Sequence, residues 1–153
     1  MTEGFVLRLH GVPPDLMIDL LATLDGLQRE VQMANLDADG PAAIGQAAHD
    51  ALVSDRGRVE GPRNVILDQA TAARAAGHQH VDITAAYEAE AIAPFLSARV
   101  GVAEADAAAR RGELLAGPMA PEERRLWSWV GVEFETQAAG GPATPFATAD
   151  RAG

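Results

Sequence analysis

Apolar and polar residues alternate with a period of two in two short stretches that lie far apart in the chain. Phe5, Leu7 and Leu9 alternate with Arg8 and His10, and Val81, Ile83 and Ala85 alternate with Asp82 and Thr84. Successive side chains of a strand point to opposite faces, so each stretch predicts a half-buried β-strand, the second over Val81 to Tyr87. Gly11-Val12-Pro13-Pro14 should stop the first strand and turn the chain.

Between and after these stretches the period is helical. Met17, Leu20, Leu21, Leu24, Leu27 and Val31 share one face of a helix over 14–34. Pro14 suits its first turn, and Asp15 and Asp19 suit its positive end. A second helix is expected over 41–55, with Ile44, Ala47, Ala48, Ala51 and Leu52 on its face. Arg56-Gly57-Arg58 and Gly61-Pro62 predict a loop. A third helix follows over 62–76 through Val65, Ile66, Gln69 and Ala73, with Gly77 at its C-cap. The fourth opens at Glu88, absorbs Pro94 in its first turn, and runs through Phe95, Leu96, Val100 and Ala103 to Arg111. The fifth begins at Pro121, with Leu126, Val130 and Phe134 on one face, Trp127 beside them and Trp129 further round. The predicted class is mainly α, of the α+β kind: about five helices held by a β-pair of sequence-distant strands. Residues 1–139 read as one domain. Residues 140–153, rich in Gly, Pro, Ala and Thr, read as a flexible tail that Phe146 can dock.

Composition narrows the function. A chain of 153 residues is long enough for one domain with a real core. Alanine supplies much of the 48% apolar content, which favours close helix packing, and the alanine-rich second and fourth helices can pack within one chain or across a homodimer. A net charge of −10 argues against nucleic acid and against an anionic membrane surface, and suits a basic protein partner. Every basic residue is arginine, the usage of a GC-rich bacterial genome. Cysteine is absent, which excludes disulfides, thiol catalysis and Cys-based zinc sites. No apolar run approaches a membrane span, and the N-terminus lacks a signal peptide, so the cytoplasm is expected.

Three patterns are candidates for chemistry. His78, His80 and Asp82 lie two apart, so on a strand they would share a face and could converge on a metal. The bland alternative is a solvent-facing row with Asp82 paired to Arg8 across the β-pair. Asn35 to Gly40 resembles the start of a calcium loop, but Gln46 stands where the closing carboxylate belongs, and turn chemistry explains the same residues. The acids form no legible acid–base pair, and there is no Gly-x-Ser-x-Gly elbow or phosphate-binding loop. No cofactor, metal or catalytic set is therefore expected. One helix face cannot bury Trp127 and Trp129 equally; the bland reading puts one in the core and leaves the other half-buried, and the sharper reading makes the exposed one an anchor for a partner.

The two ends of the chain carry a resemblance. Leu7-Arg8-Leu9-His10-Gly11-Val12-Pro13 leads into a helix with Leu27-Gln28-Arg29-Glu30. Arg110-Arg111-Gly112-Glu113-Leu114-Leu115 is followed by Pro121-Glu122, a Trp-rich segment ending Val132-Glu133-Phe134, and a Gly-Pro-Ala-Thr-Pro-Phe tail. Together these resemble small actinobacterial regulatory domains found beside, or fused to, kinase-like ATP-binding anti-sigma proteins and STAS-domain anti-sigma antagonists. The chain departs from that pattern in an unusually apolar first helix and in Phe146, where the pattern has Trp. The resemblance implies a non-enzymatic role in partner-switching signalling, with a kinase-like anti-sigma protein or a STAS protein as partner. The alternatives are a small-molecule sensor with an apolar pocket between helices, or a metal-dependent enzyme using His78, His80 and Asp82.

Overall fold

The structure, a computed structural model, describes residues 3–36 and 56–146. Strand β1 (Phe5–Val12) pairs antiparallel with β2 (Val81–Tyr87) in a two-stranded sheet. Helices α1 (Pro14–Leu36), α2 (Arg56–Ala75), α3 (Ile92–Arg110) and α4 (Pro121–Ala138) surround it, with a 3-10 turn at Ala89–Ala91 before α3. The class is α+β and mainly helical, as the two periodicities predict. The helix expected over 41–55 lies outside the described residues. Among the described residues, no helix is long and apolar enough to cross a membrane.

The alternation places Leu7, Leu9, Ile83, Ala85 and Tyr87 on the buried face of the sheet, while Val6, Arg8, Thr84 and Ala86 face outward. The first strand does not stop at Gly11. It continues to Val12 through a bulge, in which three residues from Leu9 to Val12 advance against two from Ile83 to Val81. Gly11 takes φ +72 there, a conformation open to glycine at no steric cost. The register sets Arg8 opposite Thr84, so Asp82 does not reach Arg8 as the bland reading had it. Asp82 instead accepts the Gly11 N–H at 3.0 Å and lies 3.6 Å from His10 Nδ1.

Both edges of this sheet are closed by glutamine side chains. Gln137 of α4 accepts the Arg8 N–H at 2.8 Å and donates to the Arg8 carbonyl at 2.8 Å. On the other edge Gln69 of α2 accepts the Thr84 N–H at 3.1 Å and donates to the Thr84 carbonyl at 2.6 Å. Arg8 and Thr84 are cross-strand partners of the non-hydrogen-bonded kind, with their backbone groups turned outward, so the two caps stand opposite each other on the two outer edges. Each carboxamide imitates a neighbouring peptide unit and blocks a strand edge that would otherwise pair with another chain. Gln137→Ala should cost about 2 kcal/mol, because it strands two backbone groups and a bond to Glu133. Urea denaturation and faster hydrogen exchange at the Arg8 amide would register it; unchanged exchange there would refute the cap.

The core lies between the inner sheet face and the helices. Met17, Leu20, Leu21, Leu27 and Val31 of α1 are buried, with Leu24 packed against them. Ile66, Ala70 and Ala73 of α2, Phe95, Val102, Ala105 and Ala109 of α3, and Leu126, Val130 and Phe134 of α4 complete it. Helix α2 starts at Arg56, not 62, and carries Pro62 inside it. Its expected face also shifts, since Val65 is exposed and Ala70 is buried. In α3 the expected Val100 and Ala103 are exposed, and Val102 and Ala105 take their place. A helix that is apolar nearly all round gives periodicity no single stripe to select. Gly77 ends α2 as predicted: it takes φ +78, its N–H reaches Arg74 O, and the His78 N–H reaches Ala73 O, both at 3.0 Å.

Buried carboxylates fix the entry to α4. Asp106 is 2% exposed and accepts the Met119 N–H at 2.8 Å and Arg124 Nε at 2.9 Å. Arg124 also donates to Met119 O at 2.8 Å, so one ion pair holds both backbone groups of the loop residue. Burial alone would raise the Asp106 pKa; the hydrogen bonds from Arg124 and Met119, with the charges of Arg124 and Arg110, hold it below the usual carboxylate range. Glu123 reaches back to the Ala120 N–H at 2.8 Å and accepts the Thr23 hydroxyl of α1 at 2.9 Å.

Candidate functional site

Helix α4 carries both tryptophans, and the structure separates them. Trp129 is buried, and Trp127 is half-buried. Residues two apart on a helix diverge by about 200°, so the two rings enter different surroundings. Trp127 leans on Phe95 of α3, with ring centroids 5.9 Å apart. Trp129 faces the opposite flank, where the chain folds back after α4. There the Gly140 N–H reaches Gln137 O at 3.0 Å and the Gly141 N–H reaches Thr136 O at 2.8 Å. Gly141 lies so close that a Cβ would stand 2.6 Å from Thr136 Cγ2. The chain then returns along α4 to Phe146.

This returning segment covers Trp129. The indole Nε1 donates to Thr144 O at 3.1 Å, and the Thr144 N–H donates to Glu133 Oε1 at 2.7 Å. The Phe146 ring is buried edge-on to Trp129 at 5.2 Å, and the Arg125 guanidinium lies 5.5 Å from its centre. Glu133 is 3% exposed and is also bonded by Gln137 Nε2 at 3.2 Å. The carboxylate thus joins the tail to the glutamine that caps β1.

Of the two residues expected to anchor a partner, Trp127 keeps accessible ring surface and Trp129 is taken up by the chain itself. The notch beside Trp127 is formed by Gly131. The Arg99 guanidinium occupies the position of its missing Cβ and bonds Glu135 at 2.7 Å. The sequence reading missed Arg125 and Glu133 as contacts of the tail. Their signal was faint: a lone aromatic, Phe146, in a stretch of Gly, Pro, Ala and Thr.

The His78, His80 and Asp82 set does not converge. The strand begins at Val81, so both histidines lie in the preceding turn and are exposed. Asp82 is engaged by Gly11 and His10. Among the described residues, no three His, Asp or Glu side chains are grouped as metal ligands would be. His78 instead lines an open cleft of about 330 Å³ with Pro13, Pro14, Asp15 and Arg74. Asn35 lies near the end of α1, and the rest of the candidate calcium loop, with Gln46, lies outside the described residues.

No protein family, curated protein or solved structure matches the chain.

Proposed function

We propose that this chain is a non-enzymatic regulatory module of bacterial partner-switching signalling. It acts in the cytoplasm by binding a kinase-like anti-sigma protein or a STAS-domain antagonist. One observation carries the reading: the segments that bear the resemblance, from opposite ends of the chain, belong to a single scaffold. Leu7, Leu9 and Val12 share one core with Leu27, Leu126 and Phe134, and the Arg8 backbone is bonded to the Gln137 side chain. The net charge of −10 suits a basic partner surface.

Trp127, half-exposed beside the Gly131 notch, is the anchor assigned to the partner. The test is calorimetric titration of the purified chain with the kinase-like anti-sigma and STAS proteins encoded in the same genome. Binding to one of them is expected, and Trp127→Ala should weaken it about tenfold or more with the far-UV spectrum unchanged. Binding that ignores Trp127 would remove it as the anchor, and binding to neither protein would count against the assignment.

A further inference from the structure

The tail is held as a bound peptide is held. Thr144 is gripped at both backbone groups by side chains, its N–H by Glu133 and its carbonyl by the Trp129 indole. Two residues on, Phe146 is buried between Trp129 and Arg125. Gly11 of β1 forms the adjoining wall: a Cβ there would come within 3.9 Å of Phe146 N. Pro145 stands between the two anchor points and has no N–H to leave unpaired. The receiving groups belong to α4 and β1, and the acceptor is set in place beforehand, since Gln137 bonds both Glu133 and Arg8.

We propose that this groove, formed by Arg125, Trp129, Glu133 and Gly11, is a recognition site for a proline–aromatic segment of a partner protein, and that the chain's own residues 141–146 occupy it in cis. The required chemistry is explicit. The segment must offer the backbone N–H of one residue to Glu133, the carbonyl of that residue to the Trp129 indole about one helical turn away, and an aromatic ring two residues later for Trp129 and Arg125. A preset proline between them lowers the ordering cost. Peptide modes of this kind combine backbone bonds for affinity with one side-chain pocket for specificity. Among the described residues, the tail beyond the Gly140–Gly141 turn is held by the Phe146 ring and the two Thr144 hydrogen bonds, so a segment with the same groups can replace it with no change in the groove. The inference stands apart from the partner-switching assignment and holds whichever pathway the chain serves.

The test uses the full chain and Phe146→Ala, with a labelled, end-blocked peptide of sequence Gly-Pro-Ala-Thr-Pro-Phe read by fluorescence anisotropy. The variant should bind the peptide, and the wild-type chain should bind it about tenfold or more weakly, because the cis tail competes at high effective concentration. The same peptide with alanine for phenylalanine should bind neither. A folded variant that takes no peptide, or equal binding by both chains, would overturn the proposal. A wild-type dimer that Phe146→Ala abolishes would also overturn it, by assigning the groove to the tail of a second copy. Hydrogen exchange on the wild-type chain is the second readout if the variant fails to fold. The Thr144 amide should then exchange well ahead of the α4 core amides, and exchange together with them would refute a displaceable tail.

Discussion

Phe134→Ala is expected to destabilise the chain by about 4 kcal/mol, or to lower the melting temperature by roughly 10 °C in a domain of this size. The ring is fully buried and meets an aromatic neighbour on three elements. It stacks on Phe95 of α3 at 3.7 Å and stands edge-on to Phe5 of β1 and Tyr87 of β2 at 5.0 Å each. Losing it removes buried apolar area and the ring–ring terms together. The neighbours are anchored on separate elements, so the space cannot close by a shift of one of them. Phe134→Leu should recover about half the loss, because it refills volume without restoring the stack. Urea denaturation measures both. A loss below about 1 kcal/mol for the alanine variant would contradict the core described here.

Asp106→Ala should cost about 3 kcal/mol at neutral pH. It leaves the Met119 N–H without its acceptor and Arg124 without its carboxylate, while Arg124 retains contact with water and with Met119 O. Asp106→Asn keeps an acceptor for Met119 and should cost less. The pH dependence follows from the depressed pKa of this group. A carboxyl whose folded pKa lies below its unfolded value, near 3.9, adds stability that is fully present above that unfolded value. That stability is lost as the pH falls through the folded value. The gap between wild type and Asp106→Ala should therefore be flat from neutral pH to about pH 5 and should narrow below about pH 4. Urea melts across that range read it directly. A gap that does not narrow in acid would mean that packing, not the charge, holds the loop.

The parts of the fold legible in the sequence are those in which one face meets water. Strands β1 and β2 alternate cleanly, and α1 carries one apolar stripe, so periodicity placed them. Helix α3 misled because Leu96, Val100 and Ala103 look as apolar as Phe95, Val102 and Ala105, and only tertiary contact chooses between them. From sequence alone the bulge at Gly11 looks like a stop, since glycine signals both. The glutamine caps were invisible: Gln69 and Gln137 suit any helix surface, and their role depends on the strand each one meets. The same holds for Asp106 and Glu133 among many acids. At the candidate site, the sequence puts both tryptophans on one helix, but the tail decides which one remains accessible.

The binding of a signalling partner proposed above is tested with the tagged chain as bait in the organism that encodes it. The captured proteins are read by mass spectrometry against a Trp127→Ala bait. The wild-type chain should enrich a kinase-like anti-sigma protein or a STAS-domain protein, and the substitution should reduce that enrichment. A clean wild-type bait with neither protein enriched would contradict it.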